Sequence, residues 1–133
     1  MPGSLTDKLQ LKAIKQLTVL NAPAEVAGRL AEALPGIEIA PEAAGKAEAV
    51  LLFVNNLAEV SALAPRAIEA AGVDGILWIA YPKGGSGVVT DVNRDKLWPV
   101  LDQMGWRPAR QVAIDDVWSG MRFSRGKSGL AKA

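Results

Sequence analysis

The residues best equipped for chemistry lie between Tyr81 and Arg94, in the stretch YPKGGSGVVTDVNR. Lys83 brings a positive charge, Ser86 a hydroxyl, and Gly84, Gly85 and Gly87 free the backbone to turn N–H groups toward a bound anion. Thr90 and Asp91 close the loop and suit the cap of a following helix, whose N-terminus adds a positive dipole end. Such a set fits a phosphorylated or nucleotide-like anion contacted by Tyr81, Lys83, Ser86, Thr90, Asp91 and Arg94. The same glycines and polar groups equally fit a solvated loop that holds nothing.

Neither phosphate-binding motif is complete. The P-loop pattern GxxxxGK followed by Ser or Thr is absent from this loop, and Gly126-Lys127-Ser128 imitates its end with Met121 where the first glycine belongs. The pair Gly85 and Gly87 is followed by Thr90 where the dinucleotide fingerprint has glycine, and it does not follow the first strand.

The composition closes several other routes. The chain has no cysteine and no histidine. That excludes disulfides, thiolate nucleophiles, Cys- or His-based zinc sites and any triad built on imidazole. Asp115 and Asp116 are adjacent carboxylates at the end of a strand, where neighbouring side chains point apart and turn formation is the economical role. No catalytic residue, metal-ligand set or cofactor is therefore assigned. Trp78, Trp98, Trp106 and Trp118 read as packing residues, with Trp106 and Trp118 the two that would stack on a planar ligand if exposed. Residues 1–80 hold six Lys/Arg against nine Asp/Glu, and 81–133 hold nine against five. Arg94, Arg107, Arg110 and Arg122 give the second half a basic face, but no nucleic-acid module accompanies it.

The elements that must position the loop follow from apolar periodicity. Ser4–Asp7 is spaced as a capping box for a short first helix. Gln16–Asn21 reads as a buried strand, Glu25–Leu34 as a helix with Val26, Leu30 and Leu34 on one stripe, and Ile37–Ala40 as a short strand. Ala47–Asn55, AEAVLLFVN, is the most apolar run after the central one, as expected of a strand covered on both faces. Leu57–Ala71 is a helix with a kink or restart expected at Pro65, and Ile76–Tyr81 is the strand that feeds the loop. A helix through Leu97, Leu101 and Met104 is expected to restart near Trp98 because of Pro99, and Gly105 ends it. Arg110–Asp115 and Trp118–Ser124 alternate as a closing hairpin.

Strands alternating with helices imply a mainly parallel sheet with right-handed crossovers. The expected fold is α/β, a three-layer Rossmann-like sandwich with a C-terminal antiparallel hairpin. One domain is expected over 1–124, with a flexible basic tail at 125–133. In open sheets of this kind ligands bind beyond the carboxyl ends of the strands. Those ends carry Asn21 and Pro23, Asn55, and Tyr81 with Lys83, which join Ser86, Thr90, Asp91 and Arg94 as candidate ligand-binding residues.

Two resemblances add to this reading. LTVLNAP (17–23), LLFVNN (51–56), LWIAYPKGGSG (77–87), TDVNRDKLW (90–98) and QVAIDDVWSGMRF (111–123) resemble a family of small bacterial proteins of unknown function. The likeness covers nearly the whole chain, and the family brings no activity. Lys12–Gln16 stands where that family is expected to place a Pro-Gly turn. The order of elements from Val50 to Ser124 is also similar to the carboxyl half of Rossmann-like methyltransferases. Those enzymes place a glycine-rich turn after the first strand so that the cofactor can approach, whereas Asn21–Glu25 contains no glycine. This resemblance implies a shortened relative that has lost cofactor binding.

The resulting expectation is a non-catalytic domain that binds a small anionic ligand or a protein partner, with a homodimer through an exposed sheet edge as one form of partner. The rival is an enzyme or sensor for a phosphorylated or nucleotide-like anion. No apolar run approaches the ~20 residues that span a membrane, and the first residues, MPGSLTDKLQLK, lack a secretory apolar core. A cytoplasmic location is expected.

Overall fold

A computed structural model describes residues 9, 11, 14–34, 36–40, 49–71, 76–83, 91–114 and 117–125. Among the described residues, six strands and three helices follow one another as β1 (Gln16–Leu20), α1 (Ala24–Ala33), β2 (Glu38–Ala40), β3 (Ala49–Phe53), α2 (Leu57–Ala71), β4 (Ile76–Pro82), α3 (Arg94–Gln103), β5 (Trp106–Ala113) and β6 (Trp118–Arg125). They form one sheet in the order β2-β1-β3-β4-β6-β5. β2, β1, β3 and β4 are parallel neighbours, and β6 runs antiparallel between β4 and β5.

The apolar pattern explains the layers. β3 is central and all five of its residues are buried, which is why its sequence AVLLF has no polar face. Val26, Leu30 and Leu34 lie one helical stripe apart and pack with Leu17, Val19, Leu51 and Phe53 on one side of the sheet. Val60, Ala64, Ala67, Leu97 and Leu101 cover the other side, against Val50, Leu52, Leu77 and Ile79. Leu9 and Leu11, both fully buried, extend the α1 side across β4. They are held there by the indole of Trp78, whose Nε1 donates to the Leu9 carbonyl at 2.9 Å.

Several local expectations are corrected. α3 is capped by Asn93, whose side chain accepts from the Lys96 N–H at 3.0 Å, and not by Thr90 or Asp91. Replacing Asn93 by alanine should lower stability by about 1 kcal/mol, read as a lower urea midpoint at unchanged slope. The helix runs through Pro99 with no restart at Trp98, and of the kink or restart expected at Pro65 the restart is absent, since α2 continues from Leu57 to Ala71. In each case the residue four positions earlier, Asp95 or Ser61, is exposed, so the proline falls on the solvent side of its helix.

β5 begins at Trp106, earlier than the expected Arg110, because a bulge between Pro108 and Arg110 lets a proline sit in an edge strand. Trp106 and Trp118 are 1% and 5% exposed, so neither is open for stacking. Trp118 instead meets Phe53 edge to face, with centroids 5.0 Å apart. β6 reaches Arg125, one residue past its expected end. The expected first helix, most of the glycine loop, Asp115, Asp116 and the tail from 126 lie outside the described residues.

Candidate functional site at the carboxyl rim

β1, β3 and β4 are adjacent, parallel and in register, with Leu20 opposite Leu52 and Phe53 opposite Ala80. Their carboxyl ends therefore form one rim, and Asn21, Asn55 and Lys83 follow those ends in turn. The chain leaves β1 through α1, on one face, to reach β2. It leaves β3 through α2, on the opposite face, to reach β4. The crossovers thus diverge between β1 and β3, the position where doubly wound sheets open a crevice.

Here that crevice is bridged by the protein's own side chains. Asn21 sits at φ 60°, a left-handed turn that asparagine tolerates better than other side-chain-bearing residues. Its Nδ2 donates to the Phe53 carbonyl at 2.9 Å and to Glu59 Oε1 at 3.2 Å, joining the end of β1 to the end of β3 and the first turn of α2. The same Glu59 oxygen accepts the Asn55 backbone N–H at 2.7 Å and its Nδ2 at 3.0 Å. The Glu59 N–H in turn donates to Asn56 Oδ1 at 2.9 Å. Asn56-x-x-Glu59 is thus a variant of the capping box, with the carboxylate reaching one residue further back than usual.

Asp91 completes the closure from a distant part of the chain. Its Oδ1 accepts the Leu57 N–H at 2.7 Å, so it serves the N-terminus of α2 and not that of α3. The α2 terminus nearest the crevice therefore has two of its first-turn N–H groups satisfied internally, and two carboxylates, Glu59 and Asp91, stand beside it. An added anion there would meet like charge and already engaged donors. Among the described residues no three acidic side chains gather as a metal site.

The remaining candidates separate. Lys83 follows β4 at the same rim; its backbone N–H is used by Val117 at 2.7 Å, while its ammonium has no partner among the described residues. Tyr81 is 3% exposed in the core on the α2 and α3 side, and its hydroxyl accepts from Gln111 Nε2 at 2.7 Å. Pro23 caps α1 without a side-chain bond. Ser86, Thr90 and the side chain of Arg94 lie outside the described residues. Sequence reasoning missed Glu59, although its spacing after Asn56 was a usable signal, and it missed Gln111, for which no local signal exists.

No family model and no curated protein matches the chain. Solved structures do. TnmH superposes with a TM-score of 0.66 at 14% identity, over 86% of this chain and 50% of that one. The O-methyltransferase NcsB1 from neocarzinostatin biosynthesis, in complex with S-adenosylmethionine and 2-hydroxy-5-methyl naphthoic acid, gives 0.58 at 15% identity, over 85% of this chain and 49% of that one. DhpI in complex with S-adenosyl-L-homocysteine gives 0.54 at 13%, over 94% and 83%. The chain spans about half the length of the first two. At these identities the likeness is one of fold: the chain has the Rossmann-like α/β fold of methyltransferases, with a mostly parallel sheet closed by an antiparallel pair.

Proposed function

We propose that this is a non-catalytic small-ligand or protein-binding domain on a methyltransferase-like scaffold. The observation that supports it is the Asn21–Glu59–Asn55 network in the crevice. A cofactor lying there needs close approach to the turn after β1 and free donors at the neighbouring helix. This chain spans the turn with an asparagine side chain and commits the donors to its own carboxylates. The resemblance to a bacterial family of unknown function is consistent with this reading and brings no activity of its own. A methyl-transfer assay with S-adenosylmethionine and a panel of hydroxyl, amine and carboxylate acceptors should give no product; turnover with any acceptor overturns the proposal.

A partner, on this reading, does not add a second copy strand to strand along β5. That edge carries exposed Arg107 and Arg110, Pro108 and a bulge, features that block edge pairing, and a symmetric dimer would bring arginines together. β2, the other edge, is only three residues long. No described helix is long and apolar enough to cross a membrane.

The second reading, a sensor or enzyme for a phosphorylated or nucleotide-like anion, is favoured by Lys83, a rim cation without a partner among the described residues. It expects nucleotides or phosphosugars to raise the melting temperature. A ligand at 100 times its Kd adds about 2.7 kcal/mol. Lys83→Ala should erase that rise, and a flat thermal profile across the panel removes this reading.

A further inference from the structure

We propose that the groove between α3 and the edge strand β5 is a binding site for a planar aromatic anion. The groove has a volume of ≈ 380 Å³ and is lined by Asp95 and Trp98 of α3, Pro108 to Gln111 of β5, and Met121 of β6. That volume falls within the range of small-molecule sites. It lies away from the closed crevice and goes beyond the function proposed above.

The lining supplies the three elements such a ligand needs. Trp98 is the one exposed large hydrophobic side chain among the described residues, at 39% exposure, and its indole N–H has no partner there. An indole left open over a groove is a stacking platform, and Pro108 with buried Met121 gives the apolar wall and floor. Arg110 is exposed, and its guanidinium makes no hydrogen bond or ion pair with any described residue. Its planar guanidinium matches a carboxylate or phosphate oxygen pair. Gln111 is fixed from behind: one N–H donates to the Tyr81 hydroxyl, which leaves the second N–H of that amide for a ligand. The lining holds one cation, Arg110, and one carboxylate, Asp95, which has an interaction of its own.

The bulged, proline-bearing edge argues against an added strand in the same place. The occupant is therefore a compact molecule and not an extended peptide.

The probes are 2-naphthoate, neutral 2-naphthylmethanol and non-planar cyclohexanecarboxylate, titrated into the 15N-labelled protein and followed by amide and indole N–H shifts. 2-Naphthoate should give saturable shifts at the Trp98 indole and the amides of 109–111, and bind roughly tenfold more tightly than either control. Trp98→Ala and Arg110→Gln should each weaken it by roughly tenfold, and Arg110→Gln should do so with the melting temperature unchanged because that side chain is exposed. The proposal is overturned by the absence of saturable shifts at millimolar probe, by equal binding of the three probes, or by shifts at Asn21, Asn55 and Lys83 in place of the groove. It is equally overturned if an acidic peptide shifts the amides of 110–113 while 2-naphthoate does not.

Discussion

Glu59→Ala is expected to lower stability by about 2–3 kcal/mol and to open the crevice at the end of β1. One carboxylate oxygen accepts three N–H groups from Asn21 and Asn55. Hydrogen bonds to a charged acceptor are worth about 1.5–3 kcal/mol each when shielded. Glu59 is half-buried, and the donors it releases regain water, so the net loss is set well below the sum. Glu59→Gln keeps one acceptor oxygen but places an amide NH2 beside the donors, and should lose about half as much. Urea denaturation at unchanged slope measures both. A loss for Glu59→Ala within the ~0.5 kcal/mol of an ordinary surface substitution would mean that the network contributes nothing.

The second large effect is expected at Trp78. The ring is 1% exposed between the α1-side core and the segment that carries Leu9 and Leu11. Trp78→Ala should cost about 3–5 kcal/mol through lost contacts and the cavity left behind. Trp78→Phe preserves much of the apolar volume but removes the N–H that satisfies the buried Leu9 carbonyl, a loss of about 1–3 kcal/mol. The ring also depends on Gly120 across the strand pair. A Cβ there would lie 3.3 Å from Trp78 Cε3 and 3.0 Å from Ile114 Cδ1. Hydrogen exchange distinguishes the two roles of Trp78. In Trp78→Phe the amide of Ile14, which donates to the Leu11 carbonyl, should lose protection before those of β3; uniform loss across the sheet would show that the indole bond does not hold Leu9 and its neighbours in place.

Much of the scaffold is legible from local pattern. AVLLF reads as a strand buried on both faces because no polar residue interrupts it, and Leu57–Ala71 reads as a helix with its observed limits because its apolar stripe is unbroken. What fails to read locally depends on partners far along the chain. Asp91 looks like a cap for the helix that follows it, yet it serves a helix 34 residues earlier. Pro108 suggests a loop, and only the edge position of β5 makes a strand possible there. Asn21 and Asn55 stand out as polar residues at strand ends, but their acceptor, Glu59, lies 38 residues from Asn21. The sequence therefore locates the rim, while the hydrogen-bond network that fills its central crevice is a tertiary property.

Calorimetric titration of the wild-type protein with S-adenosylmethionine, alongside Glu59→Ala, tests that closure most directly. The wild-type chain should give no saturable heat. One-to-one binding by the wild type, abolished by bulk introduced at Asn21, would show that the crevice is open to cofactor and contradict that closure.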